Sequence, residues 1–239
     1  MVKRTLEQVG TLFVVGTPIG NLEDISPRAL DVLRRVSLIA SENPPRTQRL
    51  LARYEIETPM MRFTDAYDRK KQSRTGAVLA ALRAGDVALV SEAGMPGLAD
   101  PGYELIGAVL DEGFDVVPVP GPAAVSAALS VSGLPAERFL FLGFLPRKRA
   151  ARRALLASVA DRPFTLVAYE SPHRLLAALE DVADALGSRP VAVAGELTKL
   201  YEEVRRGTAA ELVASFETEG PRGEYTLVIG PPAAEEEGA

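Results

Sequence analysis

The chain has 239 residues, 47% hydrophobic and 25% charged, which places it among folded globular proteins and away from disordered or fibrous classes. At roughly 150 residues per domain, that length allows one large domain or two small ones. Zero Cys and a single His exclude disulfide scaffolds, Cys-based zinc sites, Cys nucleophiles and thiolate-held iron–sulfur clusters; a net charge of −5 means that any nucleic-acid binding must use a local patch.

The opening MVKRTLEQVG has no small-residue cleavage site of a signal peptide, so a cytoplasmic location is expected. Apolar runs follow in order: TLFVVG at 11–16, VSLIA at 36–40, DVALV at 86–90 and DVVPV at 115–119. They read as strands, and the helical patterns between them favour an α/β fold with a mostly parallel sheet. Ser26-Pro27 is suited to start a helix, and Gly113 to close one begun near Pro101. The uncharged stretch between Asp115 and Glu137 is long enough to span a membrane, but Pro118, Pro120, Pro122 and Pro135 break it, so no membrane partner is expected.

The second half repeats the alternation with RFLFLG at 138–143, FTLVAY at 164–169, PVAVAG at 190–195, YEEVRRGT at 201–208 and EYTLVIG at 224–230. Ser171-Pro172 opens its clearest helix, in which Leu175, Leu179, Val182 and Leu186 keep the spacing of one buried face and Gly187 ends the run. The expected division is an N-terminal α/β domain over 1–122 and a C-terminal α/β domain over 123–239, with a frayed tail at PPAAEEEGA.

Glycine- and proline-rich loops fall where parallel strands end: GTPIGN at 16–21, SEAGMPGLADPG at 91–102 and PVPGPAAVSA at 118–127. Each alone reads as an ordinary strand-to-helix turn. Together they fit the ligand crevice at the carboxyl edge of an open α/β sheet, with a nucleotide-like molecule as the natural occupant. A bulky residue at Gly94 or Gly121 is expected to block that ligand while sparing the fold. Neither GxxxxGK[ST] nor a helix-opening GxGxxG is present, which argues against a triphosphate or dinucleotide bound in the common way.

At these residues the chain resembles the class III S-adenosylmethionine-dependent methyltransferases, or tetrapyrrole methylases, and within them the ribosomal RNA small-subunit methyltransferase I branch. The resemblance runs from Leu12 to about Ile229 through GTPIGNLEDIS, SEAGMPGLADPG, VPGPAA, GLPAERFLFLGFLP, YESPHR and ELTKLYEE, in that order. It implies two α/β domains with mostly parallel or mixed sheets, S-adenosylmethionine (SAM) in the cleft between them, and a homodimer. It implies 2′-O-methylation of a cytidine ribose in the decoding region of small-subunit (16S) rRNA. By position, the implied cofactor contacts are Thr17, Pro18, Gly20, Ser91, Glu92, Ala93, Gly94, Pro96, Pro120, Gly121, Ala123, Ala124, Tyr169 and Leu197. The same carry-over places Asn21, Arg46, His173 and Arg174 toward the substrate.

Such a reaction needs an aligned hydroxyl and a group that accepts its proton. Glu42, Glu170 and Glu196 are the candidate bases, each with an alternative role as a strand-end carboxylate that caps amides or pairs with arginine; no metal is expected. For His173, capping or packing in the first helical turn outweighs proton transfer. Phosphate contacts would come from the basic cluster Arg138, Arg147, Lys148, Arg149, Arg152 and Arg153, of which Arg147, Lys148, Arg152 and Arg153 are the expected substrate contacts, with a second cluster at Arg69, Lys70, Lys71 and Arg74. Either could equally be a solvated helix face.

The chain departs from the family at Glu42-Asn43-Pro44-Pro45, where Glu-Asp-Thr-Arg is usual, at the histidine-free loop 63–70, at Glu92 for aspartate and at Met95 for threonine. Two other readings stay open: a related methyltransferase for a tetrapyrrole or another non-RNA substrate, because fold does not fix substrate, and a non-catalytic SAM-binding ribosome assembly factor, which the altered 42–45 segment motivates.

Overall fold

A computed structural model describes residues 10–64 and 71–232, and no side chain over 71–73. Residues 65–70 of the loop expected at 63–70, with Arg69 and Lys70, the side chain of Lys71, the N-terminal segment and the end of the tail lie outside the described residues. The chain divides into two compact units, Met1–Ala123 and Ala124–Ala239. No helix among the described residues is long and apolar enough to cross a membrane.

In the first unit, β1 (Thr11–Val15), β2 (Leu38–Ser41), β3 (Met60–Arg62), β4 (Val87–Val90) and β5 (Asp115–Val119) form one sheet in the order β3-β2-β4-β1-β5. Every pairing is parallel, with Leu12 opposite both Val87 and Val116. Strand alternation sends Phe13, Val15, Ile39 and Val90 to one face, where they pack with α1 (Pro27–Arg35) and α2 (Pro44–Arg53). Leu12, Ala40, Val87 and Leu89 face the other way, toward α3 (Lys71–Ala84) and α4 (Tyr103–Asp111). Pro118 is tolerated because β5 pairs only with β1 and lies at the sheet edge. The Ser26 side chain accepts the Ala29 amide at 3.1 Å, so α1 starts where its Ser-Pro pair predicts. Both β3, only three residues long, and α2 were missing from the sequence reading.

The second unit holds a mixed sheet, β6-β7-β10-β8-β9, built from β6 (Phe139–Phe144), β7 (Thr165–Glu170), β8 (Pro190–Gly195), β9 (Glu203–Thr208) and β10 (Tyr225–Ile229). Only β6 and β7 run parallel; β10 enters antiparallel between β7 and β8. One face carries α6 (Arg149–Ser158), α7 (Pro172–Leu186) and α8 (Ala209–Glu219), the other α5 (Ala124–Ser132). Leu175, Leu179, Val182 and Leu186 are all buried, at about 1.5–3 kcal/mol each for full burial.

A polar pair also sits in that helical layer. Asp181 of α7 is wholly buried and accepts from Arg152 Nε at 2.8 Å and Arg149 Nε at 2.9 Å. Burial pulls its carboxyl pKa upward, but the bonds from Arg149 and Arg152 win and hold it below the ordinary range. Asp181→Asn should cost about 3–5 kcal/mol in a denaturant titration at neutral pH, because it strands the buried Arg152 charge. A depressed pKa stabilises above the unfolded value, so the wild type's advantage should shrink as pH falls below about 4.

Candidate active site

The loops after β1, β4 and β5 meet at the carboxyl edge of the first sheet. Gly16 N donates to Val119 O at 3.0 Å, Thr17 N to Gly94 O at 2.9 Å, and Gly94 N back to Thr17 O at 3.0 Å. A Cβ built on Gly121 would stand 2.7 Å from the Gly16 backbone, closer than real Cβ contacts come. The expectation that Gly121 makes room for a ligand is therefore corrected: its missing side chain makes room for another loop, and a bulky residue there would push the loops apart. Gly94 has ordinary space around a built Cβ, at 3.6 Å, but its φ of +79° is a conformation that side chains disfavour.

Beside this junction is a small, solvent-open depression lined by Thr17, Pro18, Gly20, Leu22, Arg46, Thr47, Leu50, Ser91 and Glu92. Six of those residues carry the cofactor or substrate expectations. Leu22, Thr47 and Leu50 do not; Thr47 and Leu50 lie on the unforeseen α2, and Leu50 also belongs to the core, which is how apolar residues at helical spacing read. The remaining expected residues of this unit build the loops rather than line the depression: Ala93, Gly94, Pro96, Pro120, Gly121 and Ala123. Ala93 O accepts from Ser91 Oγ at 3.2 Å, and Asn21 Oδ1 caps the following turn by accepting the Glu23 amide at 3.0 Å.

The departure at 42–45 has a local explanation. Asn43 is the N-cap of α2, its Oδ1 accepting the Arg46 amide at 3.3 Å, and Pro44 and Pro45 fill the first helical turn, where a missing N–H costs least. The other end of the Asn43 amide donates to Glu92 Oε2 at 3.1 Å, while Arg46 Nη1 donates to Glu92 Oε1 at 2.9 Å. Glu42 completes the cluster by accepting the Glu92 amide on Oε2 at 2.9 Å. An aspartate at 43 would put a second carboxylate against Glu92.

The second unit treats its expected residues differently. Glu170 is 1% exposed, with Oε1 accepting the Ser171 amide at 2.8 Å and Oε2 3.0 Å from Arg174 Nη2. Burial raises its pKa, against the opposing pull of that amide and of Arg174. Arg174 also donates to Leu145 O and Pro146 O, so neither residue is set out for a substrate. Arg152, at 3% exposure, cannot reach a phosphate, and Arg153 pairs with Asp184 at 3.2 Å; the expected basic patch is thereby reduced. Glu196 Oε1 accepts the Glu224 amide at 3.0 Å and Lys199 Nζ at 2.8 Å, which makes it a brace of its own turn. Tyr169 stacks edge-on with Phe141 and Phe144, Leu197 packs against the sheet, and Ala124 begins α5. His173, Arg147 and Lys148 are exposed.

The Asn43–Glu92 contact gives a direct test. Asn43→Asp keeps the cap yet should lower the thermal midpoint through repulsion, and adding Glu92→Gln should recover most of the loss. Additive losses in the double variant would contradict the coupling.

Comparison with known proteins agrees with this architecture. The profile of the Tetrapyrrole (Corrin/Porphyrin) Methylases family matches residues 11–213. Proteins named "Ribosomal RNA small subunit methyltransferase I" are similar along most of the chain. The one from Thermotoga maritima is 46% identical over 92% of this chain and 98% of its own length. That from Pseudomonas aeruginosa is 47% identical over 92% and 78%, and that from Bacillus subtilis 41% over 92% and 75%. In fold, the chain is similar to a cobalt precorrin-4 methyltransferase of cobalamin biosynthesis, with a TM-score of 0.69 at 19% identity over 92% of this chain and 94% of that one. It is also similar to the uroporphyrin-III C-methyl transferase of Thermus thermophilus, solved with S-adenyl homocysteine, with a TM-score of 0.62 at 20% identity over 92% and 97%. With that profile and those relatives covering most of its length, the chain belongs to the ribosomal RNA small subunit methyltransferase I family of tetrapyrrole (corrin/porphyrin) methylases.

Proposed function

We propose that the chain is a SAM-dependent methyltransferase that methylates small-subunit rRNA at a cytidine ribose 2′-hydroxyl, working in the cytoplasm as a homodimer. The observation that carries this reading is its identity of 46% with the Thermotoga maritima rRNA small subunit methyltransferase I over 98% of that protein's length. The lining of the depression suits SAM: Pro18, Leu22 and Leu50 offer apolar surface, Thr17 and Ser91 bring hydroxyls, and Glu92 brings a carboxylate toward a cation. When bound, SAM supplies a methyl group on a positively charged sulfur.

The chain's own residues must then align the ribose oxygen and take up its proton. The rigid ladder between Thr17 and Gly94 holds the loops that would do the aligning. Among the candidate bases, Glu42 belongs to the first unit and is bonded to the main chain of Glu92, which lines the depression. Its Oε2 is taken by the Glu92 amide, while Oε1 accepts no hydrogen bond among the described residues and is the proposed proton acceptor. Glu170 and Glu196 serve their own turns. Arg147 and Lys148, exposed on the turn before α6, are the proposed phosphate contacts.

Labelled methyl transfer from SAM to small subunits that lack the modification, followed by nucleoside mass spectrometry, should place the label in 2′-O-methylcytidine. A labelled base, or no label on a SAM-binding preparation, would reject the reading. Glu42→Gln should lower kcat by about 10²–10⁴-fold and leave SAM affinity unchanged. An unchanged kcat would move the base elsewhere.

A further inference from the structure

The basic run at the start of α6 is not one patch. Arg149 and Arg153 lie against the acidic face of α7, Arg149 Nη2 at 3.8 Å from Glu180 and Arg153 Nη1 at 3.2 Å from Asp184. Arg147 and Lys148, in the turn that leads from β6 into α6, are exposed and make no ion pair among the described residues. Lys148 is also the N-cap of α6 and makes no side-chain cap bond. Cations at that end of a helix face the positive pole of its dipole, an arrangement that folding alone disfavours and a bound anion would relieve.

The main chain of the same turn is held from beneath. Pro146 O accepts from Arg174 Nη2 at 3.1 Å and from Arg152 Nη1 at 3.4 Å, and Leu145 O accepts from Arg174 as well. Two guanidinium groups from different helices thus converge on one peptide. Each is neutralised by a carboxylate with no exposed side-chain surface: Arg174 by Glu170 at 3.0 Å, and Arg152 by Asp181 at 2.6 Å. Opposite charge is satisfied below the turn and left unsatisfied above it.

We propose that Glu170, Arg174, Arg152 and Asp181 are positioning residues that brace the Leu145–Lys148 turn so that Arg147 and Lys148 meet an RNA phosphate backbone in a fixed geometry. The proposal rests on the rRNA reading above. It gives the Glu-Ser-Pro-His-Arg segment a substrate-affinity role with no part in proton transfer. Arginine suits the brace because its charge satisfies a carboxylate while its remaining N–H groups reach carbonyls.

The test is a salt series of subunit binding and steady-state methyl transfer with the full-length protein. Arg174→Ala should raise the KM for unmodified small subunits about tenfold and reduce the slope of log affinity against log salt by about one to two, with kcat and SAM affinity unchanged. In an Arg147→Ala, Lys148→Ala background the same substitution should have no further effect on KM. The double variant Glu170→Gln, Arg174→Gln removes the buried carboxylate charge together with its half-buried arginine partner, so no orphan charge threatens the fold, and it should repeat the result. Additive effects, an unchanged salt slope, or a fall in kcat at constant KM would overturn the brace. Amide hydrogen exchange at Arg152, whose N–H donates to Lys148 O of the turn at 3.0 Å, measured without RNA, separates the brace from RNA binding. Faster exchange in Arg174→Ala is expected, and unchanged exchange overturns the brace itself. A wild-type protein that exchanges as expected but shows no salt-dependent binding to subunits overturns the rRNA reading and the role of the turn with it.

Discussion

At the carboxyl edge of the first sheet, the backbones of Gly16 and Gly121 come closer than any side chain permits, and the rest of the crevice is arranged around that contact. With the two loops touching, Thr17 reaches Gly94 to form a reciprocal pair of hydrogen bonds, and the β4 loop is tied to the same junction. The contact costs conformational entropy, since glycine loses more freedom on folding than any other residue. What it secures is a main-chain junction beside the depression, with the amides of Gly16, Thr17 and Gly94 all paired. Methyl transfer gains from fixed loops of this kind, because misplacement of about 1 Å can cost 10²-fold in rate.

Charge is handled in opposite ways by the two units. In the first, the Glu92 carboxylate is half exposed and held at both oxygens by Asn43 and Arg46, which fixes its direction while leaving it at the mouth of the depression. In the second, Glu170 and Asp181 are buried with arginine partners, and their pKa values move apart: burial lifts Glu170, whereas the bonds from Arg149 and Arg152 hold Asp181 down. Buried ion pairs seldom add much net stability. Their value here is geometric, since they fix helices α6 and α7 against each other and against the turn that carries the unpaired cations.

The α/β alternation was legible because strand and helix periods are written in the apolar residues, and the Ser-Pro and glycine signals fixed the starts of α1 and α7 and the end of α7. The three-residue β3 was too short to show a period, and α2 was hidden because Asn-Pro-Pro reads as a loop until its cap is seen. Loops that build the crevice were recognised from glycine and proline content, but sequence could not say whether a glycine faces ligand or protein; at Gly121 it faces Gly16. The charged residues were the least legible. A carboxylate at a strand end looks the same whether it ties one loop to another, as Glu42 does through the Glu92 amide, or is turned onto its own backbone and a neighbouring arginine, as Glu170 is. Arg152 and Arg147 are likewise indistinguishable in a basic run, although one is buried and the other exposed.

The proposed SAM site is the depression beside the main-chain junction of the first unit. Amide hydrogen exchange with and without SAM tests it most directly. Added protection is expected at residues 16–20 and 91–97, where the loops line or frame the depression, with little change along the α6–α7 face. Protection absent from both loops, while SAM demonstrably binds, would contradict it.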